Sequence, residues 1–254
     1  MSRAERRPPR FFGAWHRGEG HAARHEPCCD ALFLAQTQWV ASGFVICDGA
    51  GGSNAIARGA GIGARAAWCA LRSLRRDLRR HPDQDLRMSS MQARFRAAFL
   101  HARGRTPVVN HTVLACLWDR QLLLVAQVGD STLLVKRGGR WEAPLPPAKG
   151  EFANQTTFLR PDTKADAIDL WWTPTHQVEA VIGFSDGLEA AFLAPEPGAP
   201  KILRPNGPLA DLVIEQHRQR AGSRDYPAWL AASLADDGIR ELSDDDRTLV
   251  IASR

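Results

Sequence analysis

A chain of 254 residues with 44% hydrophobic and 24% charged side chains can bury a core that needs neither disulfides nor a structural metal. Its formal charge of +5 is carried mostly by arginine, and no run approaches the roughly 18–20 apolar residues that cross a bilayer, so no helical membrane span is expected. The basic opening MSRAERRPPRFFGAWHRGEGH has no apolar block behind it, which argues against a secretory leader. Cys28, Cys29, Cys47, Cys69 and Cys116 match no zinc spacing and are expected to be reduced thiols of a cytoplasmic protein.

In chain order, residues 1–17 are expected to be a disordered lead-in and 18–254 a single domain. ALFLAQ and GFVICD, joined by a polar turn, predict a hairpin whose second strand ends at Asp48. From Asn54 the period changes. Ala60, Ala64, Ala67, Leu71, Leu74 and Leu78 recur at alternating four and three, which predicts a helix to about Arg80, ended by His81-Pro82-Asp83. The arginines of RSLRRDLRRH are expected to lie on one solvated face of it; no interleaved aromatics support a nucleic-acid surface. A second helix is expected over Ser90 to Ala102.

HTVLACLW, QLLLVAQVG and STLLVKRG, with turns at Asp119-Arg120 and Gly129-Asp130, predict a three-stranded antiparallel meander. A Pro- and Gly-rich loop follows over 143–154. AIDLWW and VEAVIGFSD give two more strands, GLEAAFL a helix, and EPGAPKILRPNGP a loop. Helices over Leu209–Arg220 and Tyr226–Leu234 precede a closing strand RTLVIAS. Strands grouped together with helices in pairs argue for an α+β fold, its sheets packed together and its helices outside.

Three apolar strands meet aspartates in short turns: Asp48 in VICDGAGG, Asp186 in VIGFSDG, and Asp244, Asp245 and Asp246 in LSDDDRTLVIA; Asp130 sits in VGDS. One Asp-Gly after a strand is usually only a turn. Several carboxylates gathered at strand ends repel one another unless a cation sits among them, and hard divalent ions prefer that oxygen environment. The competing reading is a phosphate-cradling turn at GAGIG (Gly59 to Gly63) or DGAGG. GAGIG lies inside the helical stripe, and the position of a ribose-binding acid is taken by Trp68-Cys69, so these glycines are expected to serve close helix packing.

The ordered set DGxGG, GDS, SDG and a terminal DD before Thr resembles the signature of the metal-dependent, type 2C protein phosphatases. GEGHAARHEPCCDA and GEFANQTTFL (150–159) are similar to segments of a bacterial branch of that family, and the resemblance covers about residues 18–253. It implies a four-layer α/β/β/α sandwich of two packed, mainly antiparallel sheets. It further implies two divalent cations, Mn2+ or Mg2+, bridged by Asp48. The Gly49 backbone carbonyl would hold one of them, and Asp186 and Asp245 the other. Asp30 would order water held by the metals, Asp130 would be structural or, with Glu189, serve a third metal, and Asp246 would support Asp245 by hydrogen bonds. The implied activity is hydrolysis of phosphoserine and phosphothreonine in proteins through metal-activated water. The implied partners are a phosphoprotein substrate, a cognate serine/threonine kinase and sometimes a von Willebrand-type protein, with no membrane involved.

The chain departs from the family at several positions. Ala50 stands where many eukaryotic relatives have a histidine. His25 replaces a phosphate-binding arginine, which leaves His21, Arg24 and His25 as phosphate-binding candidates. CCD replaces Cys-Gln-Asp before Asp30, and Ala190 takes a position that is often acidic, with Glu189 one residue earlier. The alternative function is a catalytically weak domain that binds phosphoproteins or partners.

Overall fold

Two five-stranded antiparallel sheets stack face to face between helices in the computed structural model, which describes residues 8–36, 41–80, 87–107, 109–147 and 156–254. The chain runs β1 (Phe12–His16), α1 (Glu19–Ala23), β2 (Ala31–Gln36), β3 (Ala41–Cys47), α2 (Asn54–Arg80), α3 (Met88–Arg103), β4 (Val113–Asp119), β5 (Leu122–Val128), β6 (Thr132–Arg137) and β7 (Arg140–Glu142). It continues through β8 (Asp169–Pro174), β9 (Ala180–Phe184), α4 (Glu189–Phe192), β10 (Leu193–Glu196), β11 (Ala199–Pro205), α5 (Gly207–Arg220), α6 (Tyr226–Ser233), α7 (Asp237–Arg240) and β12 (Arg247–Ser253). One sheet has the order β2-β3-β4-β5-β8 and the other β1-β12-β9-β6-β7.

Side-chain parity builds the layers. Successive residues of a strand point to opposite faces. In β3, Phe44 and Ile46 therefore enter the space between the sheets, where they meet Leu114, Trp118, Leu133, Val181 and Val250. Val45 and Cys47 point the other way and pack with Ala60, Ala64, Ala67 and Leu71 of α2 and Phe95 and Phe99 of α3. In β12, Val250 and Ala252 face the first sheet, while Leu249 and Ile251 meet Ile214 of α5 and Tyr226 and Leu230 of α6. Both faces of both sheets are covered, so the central strands are buried over nearly their whole length and mostly apolar. This is the four-layer α/β/β/α sandwich.

Helix α2 begins at Asn54, where the period changes, and carries the apolar stripe from Ala60 to Leu78. Two of its glycines bring it close to the chain: a Cβ on Gly59 would collide with Val109, and one on Gly63 with the His111 imidazole. Gly61 has nothing within 4 Å. Gly63→Ala is therefore expected to cost about 1–3 kcal/mol in urea unfolding through overpacking. Gly61→Ala should instead gain about 0.5–1 kcal/mol from helix propensity. Equal effects at the two positions would refute the close-packing role. Arg75 leaves the arginine face altogether: it is buried and donates to Asp119 Oδ2 at 2.5 Å and to Gln121 Oε1 at 3.1 Å.

Several expectations are corrected. The three-strand meander breaks after β5: β4 and β5 pair, but β6 joins the other sheet beside β9 and β7. The crossing occurs at Gly129, whose φ of +99° suits glycine. Residues 12–16, assigned to the disordered lead-in, form β1, paired with β12 from Phe12↔Ile251 to His16↔Arg247. The apolar Phe11 and Phe12 anchor it in two cores. EPGAPKILRPNGP is not a loop throughout, since β10 and β11 form a separate hairpin. A two-stranded ribbon has an unpaired edge on each strand, which tolerates Pro195 and Pro205. The helix expected in GLEAAFL is one 3-10 turn (Asp186–Leu188) and the four residues of α4.

The turn at 37–40, the helix stop at His81-Pro82-Asp83 and residues 148–155 of the loop lie outside the described residues. No helix among the described residues is long and apolar enough to cross a membrane. All five cysteines are free thiols.

Candidate metal centre

The strand ends are held by backbone hydrogen bonds before any side chain is considered. Past β3, the Thr112 amide donates to Asp48 O at 2.8 Å, the Asp48 amide to Thr112 Oγ1 at 3.0 Å, and the Ala50 amide to Asn110 O at 3.0 Å. The Gly49 amide donates to Cys29 O at 3.2 Å, and a Cβ on Gly49 would press on Ile56 and Cys29. These bonds fix the turn that presents Asp48. The crossover at Gly129 delivers Asp130 to the same end of the sandwich, where Thr156 Oγ1 donates to its Oδ2 at 2.6 Å. β9 runs into Ser185 and Asp186, and Gly187 sits so tightly on Asp246 O that a side chain there would collide with it.

These three ends converge. Carboxylate oxygens of Asp48, Asp130 and Asp186 all lie within 4.8 Å of one another. Asp30, just before β2, lies behind them and accepts from Ser185 Oγ at 2.8 Å and Thr248 Oγ1 at 2.6 Å through Oδ2. Asp30 Oδ1 and Asp130 Oδ1 are buried without a hydrogen-bond partner among the described residues.

Burial and mutual repulsion make Asp48, Asp186 and Asp30 reluctant to ionise. Burial pushes Asp186 up to about 8, reinforced by Asp245, Asp130 and Asp30. Asp48 is held well above the usual carboxylate range by burial and then by Asp30 and Asp186. Asp30 is raised to about 7 by burial, against hydrogen bonds from Thr248 and Ser185 that favour its charge. An all-oxygen set of crowded carboxylates with buried acceptors left unused fits hard divalent cations, whose charge reverses this repulsion.

The C-terminal triplet divides its labour. Asp246 lies outside the group of three and accepts from the Gly18 amide at 2.8 Å and the Cys29 amide at 2.6 Å, with His21 Nδ1 at 2.9 Å. Burial alone would raise it, but these donors outweigh burial and hold it below the usual range. Its support of Asp245 comes from its backbone, the Asp246 amide donating to Asp245 Oδ1 at 2.8 Å. Asp245 is exposed and outside the group of three, although its charge acts on Asp48 and Asp186. Asp246→Ala should remove the clasp between the N-terminal segment and the β12 entry. The expected loss is about 2–4 kcal/mol in chemical denaturation; a loss below about 0.5 kcal/mol would contradict it.

The phosphate-binding candidates sit further out. His21 has Asp246 at one ring nitrogen and Glu26, 3.9 Å away, at the other. Arg24 is exposed and pairs with Glu26 at 2.7 Å, and His25 is an exposed residue with φ of +56°. Glu189 is half-buried at the start of α4, outside the group of three.

Sequence reasoning missed the hydroxyls that hold the acids: Thr112, Thr156, Ser185 and Thr248. For two of them a signal was available in the motifs themselves, Ser185 in FSD and Thr248 in DRT; Thr112 and Thr156 lie in no aspartate motif. It also missed Arg247, which is fully buried and donates to Glu19 of α1 at 2.5 Å.

A sequence profile of the protein phosphatase 2C family matches residues 17–235. Serine/threonine-protein phosphatase 3 of Escherichia coli (strain K12) is 30% identical over 133 residues, 51% of this chain and 49% of that protein. The chain thus spans about half the length of this curated relative. Among solved structures, a C. elegans sex determining protein superposes with a TM-score of 0.60 at 13% identity, over 96% of this chain and 64% of that one. The catalytic domain of serine threonine protein phosphatase PstP, in complex with 2 manganese ions, gives 0.55 at 18% identity, over 97% and 98%. Likenesses at such identity speak for the fold; the sequence match, which runs through all three converging strand ends, shows that this chain belongs to the protein phosphatase 2C family.

Proposed function

We propose that this protein is a metal-dependent protein serine/threonine phosphatase that hydrolyses phosphomonoesters with water. The observation that carries the reading is the convergence of Asp48, Asp130 and Asp186, in which burial and neighbouring carboxylates hold Asp48 and Asp186 above the usual range. Family membership supports it, as do the name of the Escherichia coli relative and the two manganese ions of the PstP structure.

Residues 18–254, with β1 added, act as one catalytic domain. Asp48, Asp186 and the Gly49 carbonyl would hold two divalent cations, Mn2+ or Mg2+, with Asp130 beside them and Asp245 reaching in from the rim. Bound there, the cations would supply the charge that ionises water near neutral pH and neutralises phosphoryl oxygens. Asp30, pinned by Ser185 and Thr248, keeps Oδ1 free to accept a hydrogen bond from the attacking water and so to fix its orientation.

No covalent nucleophile is required. Burial raises the Cys28 thiol and takes Cys29 up to about 11, so both stay protonated near neutral pH. His25, exposed ahead of Asp30, is the better placed phosphate candidate, because the His21 ring already faces two carboxylates and Arg24 pairs with Glu26. A cleft of about 490 Å³ beside Asp130, lined by Asn110, Thr156, Phe158, Arg160 and Lys164 among others, offers room for the chain flanking the phosphoresidue. A serine/threonine kinase is the opposing enzyme, and five free thiols suit a reducing, cytoplasmic setting.

The test is Mn2+-dependent hydrolysis of p-nitrophenyl phosphate and a phosphothreonine peptide, with Asp48→Asn as control. Metal binding by calorimetry without turnover of either substrate would leave the binding-module alternative standing.

A further inference from the structure

Helix α2 carries seven arginines and one aspartate, a net charge of +6 that exceeds the +5 of the whole chain. Among the described residues its two ion pairs use Arg75, turned inward to Asp119, and Asp77, which meets Arg94. The remaining six, Arg58, Arg65, Arg72, Arg76, Arg79 and Arg80, are exposed, and no carboxylate among the described residues pairs with them.

Their order is regular. Arg58, Arg65, Arg72 and Arg79 repeat every seven residues. A heptad drifts only about 20° around a straight helix, so the four form a nearly straight row with about 10.5 Å between neighbours and about 31 Å in all. The row starts at the metal centre's edge, since Ile56, half a turn before Arg58, packs against Gly49. Like charges aligned on one face destabilise an isolated helix, and the apolar face of α2 would hold the helix equally well with mixed charges outside.

We infer that this row is a docking rail for an acidic polypeptide segment of the phosphoprotein substrate; the inference rests on the phosphatase reading above. An extended chain of about nine residues covers 31 Å. The catalytic end is itself crowded with aspartates and does not attract an anionic protein, whereas the adjoining arginine row does and steers it. A lipid surface fits less well, because the row interleaves only Ile62, 37% exposed, and Cys69, with no large apolar wedge. Nucleic acid also fits less well. The row has no aromatic platform for single-stranded bases, and the inner face of α2 is committed to the core.

The test compares two phosphothreonine peptides that share one core, one with a nine-glutamate tail and the other with nine glutamines. The wild-type protein is expected to favour the acidic peptide about tenfold in kcat/KM, through KM, with the preference fading as salt rises. The triple variant Arg65→Gln/Arg72→Gln/Arg76→Gln should lose that preference while hydrolysing p-nitrophenyl phosphate as before. Equal kcat/KM for both peptides in the wild type, or a preference the variant keeps, overturns the rail. Binding of the unphosphorylated, fluorescein-labelled glutamate peptide by anisotropy decides the matter independently of turnover. If p-nitrophenyl phosphate is not hydrolysed, the phosphatase reading fails while the anisotropy still judges the rail. If anionic vesicles or single-stranded RNA bind through these arginines and the glutamate peptide does not, the assigned partner is wrong.

Discussion

Asp186→Asn is expected to lower Mn2+-dependent phosphatase activity by roughly a hundredfold or more, the scale on which a single preorganised electrostatic contact matters, and to leave the metal-free protein as stable as before or more so. The two halves have one cause. Without cations, Asp186 crowds Asp48 and Asp130, and its carboxyl is raised to about 8. The amide of asparagine keeps the volume and one oxygen but removes the charge. That relieves repulsion in the empty cluster and weakens the attraction for a divalent ion. A merely structural aspartate would behave in the opposite way, its loss costing stability. The measurements are p-nitrophenyl phosphate turnover across Mn2+ concentrations and the melting temperature in EDTA. A variant that keeps full activity, or melts well below the parent in EDTA, would show that Asp186 is no metal ligand.

The second large effect is on stability against pH. Folded-state values of about 7 for Asp30 and about 8 for Asp186 lie above the unfolded value near 3.9, and Asp48 is raised as well. Through this window the folded protein therefore binds more protons than the unfolded chain. The stability these acids allow is complete below about pH 4 and is lost as pH rises towards 8. A shift of three pKa units corresponds to roughly 4 kcal/mol, an upper scale here because the acids titrate together.

A cation that binds only the folded state restores stability, by about 2.7 kcal/mol at a hundred times its dissociation constant. The rise in melting temperature with Mn2+ should therefore be larger at pH 8 than at pH 5. His217 works in the other direction. Burial lowers it to about 4 beside Tyr226, so its contribution is complete above about pH 6.5 and falls away on acidification. His217→Phe should flatten the acid side of the profile and leave the alkaline, metal-sensitive side unchanged. A melting temperature in EDTA that is level from pH 5 to 8, with no added effect of Mn2+, would count against the acidic cluster as a metal centre.

Local pattern determined much of this protein. The stripe from Ala60 to Leu78 located α2, which contains it, because helical periodicity is a property of neighbouring residues and needs no partner to be read. The strands β2 to β5 and the order of the aspartate motifs were legible for the same reason, as was the two-sheet architecture through the family resemblance. Partnership across the chain was not. β6 follows β5 almost as closely as β5 follows β4, yet it crosses to the other sheet, where it pairs with β9. The lead-in around Phe12 became a strand because β12, over two hundred residues later, offers it an edge.

The same holds at the metal centre. The motifs put aspartates at strand ends, but only the stacking of the sheets decided that Asp130 stands with Asp48 and Asp186 while Asp245 stays on the rim. Turn chemistry and periodicity act over a few residues. Which carboxylates meet depends on long-range strand pairing and on donors such as Gly18 and Cys29, which engage Asp246 from more than two hundred residues away.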